Sequence, residues 1–282
     1  METQNKPAAK RLQSLDALRG FDMFWIMGGG GIFVGLATLT GWPVFQWWAE
    51  QLEHVPWNGF RFYDMIFPLF LFIAGISFPF SMAKRIAMNE SRQSIYKHVI
   101  GRLIMPGKLN HGNHDPEGLF STVPAIGTAL LGIFTGEFMH SKYLNDKPLK
   151  KVLFLVLAGI ALMIIGKIWD LTFPINKNLW TSSFVCFVGG LSLLLFAIFY
   201  LIIDVWQYKK LAFFFVVIGM NPITIYLTGR IVNFRSVTRF FFEGITDLLP
   251  ETWTPLIEGI GITTVAWVFL YILYKKKIFP RV

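Results

Sequence analysis

Long apolar runs recur along the whole chain and are separated by short polar segments. Each run approaches or exceeds the roughly 20 residues that an α-helix needs to cross a bilayer. A shorter mixed segment at 236–250 is typical of a helix lying in the membrane interface. The pattern predicts an all-α fold, a polytopic transmembrane helical bundle in a single domain over residues 1–282. About seven spanning helices are expected, at 15–39, 60–83, 118–139, 151–171, 179–205, 211–234 and 253–274.

Composition agrees with a membrane protein. Of 282 residues, 54% are hydrophobic and only 15% are charged, whereas soluble domains carry about 25% charged residues. The net charge of +9 comes from basic residues that lie between apolar runs. This is how basic residues distribute in membrane proteins, so we expect the lipid bilayer as partner and no nucleic acid. The single cysteine, Cys186, excludes an intramolecular disulfide.

The distribution of Lys and Arg predicts a topology. The loop at 40–59 has neither, whereas the segment after the second run has six. Basic loops stay in the cytoplasm, so we expect a cytoplasmic N-terminus and an external His54 loop, in a bacterium across the cytoplasmic membrane. If the chain crosses the membrane seven times, every basic loop after residue 118 lies on the outer side, against the rule for basic residues. An odd number of additional helices near residues 103–106 would place all of these loops in the cytoplasm.

Polar side chains within or beside apolar helices are candidates for function because they are expensive there. Asp16, Arg19 and Asp22 are spaced by three residues, which indicates either an ion-paired helix end or a phosphate contact by Arg19. His54 lies in an aromatic loop at the mouth of the second run, where it is either a general base or an interfacial side chain. Asp64 could orient His54 or cap a helix.

Three further groups of polar residues carry weaker signals. The segment at 111–118 concentrates histidine and carboxylate side chains, and a solvated loop that caps the third helix explains them better than a metal site. We therefore expect no metal. Asn176, Asn178 and Asn221 lie at the edges of apolar runs.

Six motifs occur in a specific order, at 14–20, 55–59, 63–68, 115–118, 174–180 and 219–221. They read SLDALRG, VPWNG, YDMIFP, DPEG, PINKNLW and GMN. Taken together, over nearly the whole chain, they make the sequence resemble bacterial multi-pass relatives of heparan-α-glucosaminide N-acetyltransferase.

The resemblance implies a membrane-bound acyltransferase. Such an enzyme would use cytoplasmic acetyl-CoA as co-substrate and acetylate an amino sugar, glycan or similar acceptor on the outer side. His54 matches the family's key histidine before Trp-Asn-Gly, so it would accept the acetyl group or deprotonate the acceptor amine, with Asp64 beside it. A homodimer is also expected. The residues expected to bind substrate or cofactor are Asp16, Arg19, Trp57, Asn58, Asp115, Glu117, Asn176, Asn178 and Asn221.

One departure from the family concerns the segment between Arg102 and Pro106, where family members carry about three additional helices. Three is an odd number, as the charge pattern requires. The comparison predicts an internally deleted chain that is either an acyltransferase or its inactive remnant. Two other functions stay open. Helices broken by Pro and Gly favour a transporter or permease, and the missing helices favour a non-catalytic component completed by a partner.

Overall fold

A computed structural model describes residues 12–87, 119–141, 144 and 147–279. All regular secondary structure within these ranges is helical. The first half contains α1 Gln13–Phe24, α2 Gly30–Thr40, α3 Pro43–Gln51, α4 Ile66–Ala87 and α5 Leu119–His140. The second half contains α6 Pro148–Asp170, α7 Ser182–Phe199, α8 Lys209–Gly219, α9 Pro222–Ile231, α10 Phe234–Thr246 and α11 Thr254–Lys275. Short 3₁₀ helices precede α4, at Phe62–Met65, and α11, at Glu251–Trp253, and π-helical turns follow α1, at Trp25–Gly29, and α7, at Tyr200–Val205.

The prediction of an all-α membrane protein is confirmed. Helices occur at all of the predicted spans. Within the described ranges five are long and apolar enough to cross a membrane, and a bent pair brings the number to six. The five are Gln13–Thr40, Phe62–Ser81, Pro148–Asp170, Ser182–Val205 and Glu251–Lys275. Asp115, Glu117 and the expected deletion at 103–106 lie outside the described residues.

The run predicted as one span at 211–234 is two helices, α8 and α9, bent by 70°. The break follows from Pro222, which has no N–H to continue the helix and disfavours a helical conformation in Asn221 before it. Asn221 accordingly has φ −132° and ψ 50°. The mixed segment expected in the membrane interface forms α10, whose Phe240 and Phe241 are largely exposed.

The described chain forms two compact units. The first, which we call the His54 unit, comprises residues 13–70 and 195–279; the second, the Asn176 unit, comprises residue 12 and the described residues between 71 and 194. In the His54 unit α1 packs closely against α8, and a methyl group on Gly20 would overlap the carbonyl oxygen of Phe215. Gly31 of α2 meets Gly259 of α11 in the same manner. Small residues thus allow the backbones to approach, as is usual between membrane helices.

The glycine run after α1 breaks the first span. Gly28 has φ +118°, a conformation that glycine adopts at little cost and that side chains with a Cβ disfavour. The Asn176 unit also packs on glycines: added methyl groups on Gly75 of α4 and Gly132 of α5 would overlap the backbone of the opposite helix.

Candidate active site

The central feature of the His54 unit is a hydrogen-bonded pair, His54 and Asp64. His54 follows α3 in an irregular loop, and Asp64 lies in the 3₁₀ helix at Phe62–Met65. Nδ1 of His54 is 2.7 Å from Oδ1 of Asp64. The Asp64 side chain is completely buried, whereas that of His54 is 53% exposed. The pair therefore combines a fixed carboxylate with a histidine that is open to a substrate.

Asp64 also organises the backbone around it. Its second carboxylate oxygen, Oδ2, accepts hydrogen bonds from the backbone N–H of Arg61, at 3.1 Å, and of Val55, at 3.5 Å. The first of these bonds caps the 3₁₀ helix, because Arg61 precedes it. The two alternatives that the sequence left open for Asp64 are thus both realised: it orients His54 and it caps a helix.

Arg61 ties the His54 loop to α3. Its guanidinium lies 3.0 Å from the carboxylate of Glu50 and 3.3 Å from that of Glu53, and it donates to the carbonyl oxygen of His54 at 3.4 Å. Gln51 adds a further link by accepting a hydrogen bond from the backbone N–H of Phe62. The loop between them contains Gly59 with φ +113°, which explains the glycine after Trp57 and Asn58.

Aromatic residues lie next to His54 and along the 3₁₀ helix that carries Asp64. The ring of Tyr63 lies 4.9 Å from that of His54. In the same 3₁₀ helix, Phe62 contacts Trp25 at 5.0 Å and Trp48 at 5.7 Å in edge-to-face geometry. Trp57 and Asn58 are exposed beside His54. The exposed His54 thus has an aromatic ring at its side and two exposed neighbours in the chain.

Asp16 and Arg19 form an ion pair 3.3 Å long in α1. The sequence placed Asp22 in the same group, and this expectation is wrong. Asp22 is completely buried, and neither of its carboxylate oxygens has a hydrogen-bond partner among the described residues. The reason is geometric: six residues of α-helix rotate a side chain by about 240° from Asp16, so Asp22 faces elsewhere.

Asn221 lies between α8 and α9, where it is 2% exposed. Both polar atoms of its side-chain amide lack a hydrogen-bond partner within the described ranges. Buried amides are normally paired, so this one is available to a ligand or to water.

In the Asn176 unit the two predicted asparagines differ. Asn176 is buried, and its side-chain oxygen accepts a hydrogen bond from the backbone N–H of Leu179 at 3.0 Å. The Thr181 hydroxyl accepts from the backbone N–H of Asn176 and donates to the carbonyl oxygen of Pro174. Asn176 thus holds its own turn, while Asn178 is half-exposed.

No group of three or more His, Cys, Asp or Glu side chains in the described ranges is arranged to hold a metal ion. When His54 carries its proton on Nδ1, Oδ1 of Asp64 accepts a hydrogen bond from that N–H, and the ring's lone pair is on Nε2. A histidine oriented by a buried carboxylate in this way can act as a base or as a nucleophile.

Two known proteins are similar in sequence to this chain. The chain is 29% identical to heparan-alpha-glucosaminide N-acetyltransferase of Mus musculus over 178 residues, which are 60% of this chain and 26% of that protein. It is 26% identical to the protein of the same name from Homo sapiens over 175 residues, 60% of this chain and 25% of that protein. The chain is similar to N-acetyltransferases. Its matching part spans about a quarter of the length of these relatives. No family model matches the chain.

Sequence reasoning missed two residues of this site, Arg61 and Tyr63, and gave Asp22 a wrong partner. Arg61 was counted with the helical run and not with the loop that it fixes. Tyr63 appeared only within a motif, and its contact with His54 depends on the turn that the 3₁₀ helix makes. Asp22 carried a signal, since a carboxylate within an apolar helix is unusual, but its spacing from Arg19 suggested a partner that it does not have among the described residues.

Proposed function

We propose that this protein is a membrane acyltransferase that moves the acetyl group of acetyl-CoA to the amine of an amino sugar or a similar acceptor. The observation that carries the proposal is the 2.7 Å contact between His54 and the buried Asp64. The similarity to N-acetyltransferases supports the acyl group and the amine acceptor.

The pair can perform the transfer in two ways. In one, Nε2 of His54 attacks the thioester carbonyl and carries the acetyl group as an acetyl-imidazole until the amine displaces it. In the other, Nε2 removes a proton from the amine while the amine attacks the thioester directly. Asp64 supports both routes, because its negative charge stabilises the positive charge that His54 gains.

Asp16, Arg19, Trp57, Asn58 and Asn221 are the proposed binding residues of the His54 unit. The Arg19 guanidinium is suited to a CoA phosphate, since a guanidinium binds phosphate through paired hydrogen bonds. The exposed ring of Trp57 provides a flat apolar surface on which a sugar can stack. Donor entry from the cytoplasm and acceptor entry from outside are part of the proposal.

The test uses the purified chain in detergent micelles with labelled acetyl-CoA and glucosamine. We expect labelled N-acetylglucosamine from the wild type and none from His54→Ala. His140→Ala is the matched control, because His140 is exposed in the Asn176 unit and its ring lies against Phe80. Failure of the wild type to transfer label to any of a panel of amine acceptors would refute the proposal.

A second experiment separates the two routes. When the acceptor is omitted, an acetyl-imidazole route releases CoA in a burst and leaves label on His54. A base route shows neither result but still transfers label when the amine is present. Mass spectrometry of the peptide that contains His54 reads the outcome directly.

The bent pair α8 and α9 favours a second candidate, a transporter. Discontinuous helices form the substrate sites of many secondary transporters, and the break leaves the buried Asn221 amide without a partner among the described residues. Uptake of labelled amino sugar into proteoliposomes in the absence of acetyl-CoA would support this function. Uptake that requires acetyl-CoA would instead support the acyltransferase.

A further inference from the structure

Five lysines lie at one end of the His54 unit, where α8 begins and α11 ends. All five side chains are exposed. They are Lys209, Lys210, Lys275, Lys276 and Lys277. The first two open α8, and the other three are the last residue of α11 and the turn that follows it. We call these five residues the lysine patch.

The packing of α8 against α11 brings the two parts of the patch to the same end. Phe213 lies about one helical turn after the lysines of α8. Its ring is 5.8 Å from that of Tyr274, the residue before the lysines of α11, and 6.3 Å from that of Tyr271. The indole N–H of Trp267 donates to the carbonyl oxygen of Phe214 at 3.2 Å. Two segments that are far apart in the sequence are therefore neighbours in the fold.

The lysine patch lacks a counter-charge among the described residues. No ion pair in the described ranges involves any of its five ammonium groups. Asp204, a carboxylate shortly before α8, accepts a hydrogen bond from the backbone N–H of Ser14 at 3.1 Å. The negative end of the α11 dipole favours the lysines there, but Lys209 and Lys210 lie at the positive end of the α8 dipole, where cations are unfavourable. An external anion would offset this repulsion.

The lysine patch also lies where two candidate membrane spans end. These spans are Ser182–Val205 and Glu251–Lys275. Trp206 and Tyr208, between the first span and the patch, are exposed, and their rings are 6.4 Å apart. Exposed Trp and Tyr side chains collect at the membrane interface. These positions place the patch at the level of the lipid headgroups.

Lys277 has an unusual backbone conformation. Its φ of +55° falls in the left-handed region, which favours glycine. The N–H of Lys277 bonds to the carbonyl oxygen of Tyr274 at 3.0 Å, and the N–H of Ile278 bonds to that of Leu273 at 2.9 Å. These two bonds form a Schellman motif, in which the residue with positive φ is usually glycine. A lysine at this position keeps a positive charge where glycine would fit the backbone better.

We propose that the lysine patch binds the phosphate groups of anionic phospholipids and so anchors this end of the His54 unit to a negatively charged leaflet. Charge complementarity identifies the occupant, because a lysine ammonium binds a phosphate as a point charge. A zwitterionic headgroup carries a cation of its own and compensates the patch less well. The inference goes beyond acyl transfer and uses no residue of the His54–Asp64 pair.

Native mass spectrometry of the purified chain in an uncharged detergent tests the inference, with phosphatidylglycerol and phosphatidylcholine as probes. We expect the wild type to bind phosphatidylglycerol more tightly. Lys210→Gln and Lys276→Gln, one from each helix, should each weaken phosphatidylglycerol binding by about five-fold and leave phosphatidylcholine binding unchanged. Lys167→Gln is the matched control, because Lys167 is an exposed lysine that already has a partner, Asp170, at 3.2 Å. Its affinity for phosphatidylglycerol should equal that of the wild type.

Lys277→Gly separates lipid binding from folding. Glycine adopts the positive φ more readily, so the unfolding temperature in lipid-free detergent should equal or exceed that of the wild type. Phosphatidylglycerol binding should nevertheless fall by about five-fold, because a charge is lost. A variant that lost binding through damage to the fold would instead show a lower unfolding temperature.

Three results would overturn the inference. The first is equal affinity of the wild type for the two lipids, and the second is wild-type phosphatidylglycerol affinity in both Lys210→Gln and Lys276→Gln. The third is displacement of bound phosphatidylglycerol by free acetyl-CoA, which would assign the patch to the phosphates of the donor. None of these measurements requires acetyl transfer. A wild type without transferase activity would therefore refute the proposed function and leave the lipid result in force.

Discussion

Removal of the Asp64 carboxylate should damage both stability and activity, and the two effects can be separated by the choice of substitution. In Asp64→Ala three donors lose their acceptor: Nδ1 of His54 and the backbone N–H groups of Arg61 and Val55. Burial of an unsatisfied donor costs about 1–3 kcal/mol. The His54 ring is half-exposed and can turn to water, and the Val55 bond is long, so the sum should lie near the lower end, about 2–4 kcal/mol.

Asp64→Asn is the informative partner of that variant. The asparagine oxygen can still accept from the Arg61 N–H and so retains the cap, but its NH₂ group cannot accept the proton on Nδ1 of His54. The ring is then free to adopt the other tautomer. We expect a loss of unfolding free energy of about 1 kcal/mol, the value of a single hydrogen bond, together with a fall in acetyl transfer of about 100- to 10,000-fold.

The assays are thermal or urea unfolding in one detergent and acetyl transfer under saturating acetyl-CoA. His54→Ala combined with Asp64→Asn should be no less active than His54→Ala alone, since Asp64 is proposed to act through the histidine. Retention of wild-type transfer by Asp64→Asn would refute the role of Asp64. Equal stability of Asp64→Ala and the wild type would refute the structural half of the reasoning.

Three further predictions concern the frame around the site. In an unfolding titration, Gly20→Ala should lower the free energy of unfolding by about 1–3 kcal/mol, because the added methyl group would overlap the Phe215 carbonyl. Gly229 has open space around it, so Gly229→Ala should be neutral or stabilising. By the same measurement, Thr181→Val should lower the free energy of unfolding by about 2–4 kcal/mol, because the Thr181 hydroxyl accepts from the N–H of Asn176 and donates to the carbonyl of Pro174. Thr172→Val, at an exposed position, should lower it little. Arg61→Gln should change the unfolding free energy by no more than about 1 kcal/mol, because Glu50 and Glu53 are exposed, yet it should reduce acetyl transfer by freeing the His54 loop.

The helices were predictable because hydrophobic run length is set by the bilayer and is written directly in the sequence. The break at Pro222 was visible as a proline in an apolar run, but its size of 70° was not. A proline removes one hydrogen bond and leaves the bend to be decided by packing against neighbouring helices. The break at Gly28 was likewise suggested but not fixed by the sequence, because a run of glycines permits a positive φ without requiring it.

The candidate site illustrates where sequence reasoning stops. His54 and Asp64 could be suspected, because a histidine and a carboxylate stand ten residues apart at the start of one helix, but only the turn through the 3₁₀ helix brings Nδ1 to 2.7 Å from Oδ1. Helical spacing led to the wrong grouping of Asp22 with Asp16. Two residues three positions apart lie close together on a helix surface, but two such steps rotate the side chain by about 240° around the helix axis. A buried carboxyl without a partner among the described residues has no sequence signature apart from its place in an apolar helix. Its isolation is a property of the packing, and for that reason Asp22 is the residue at which the structure adds most to the sequence.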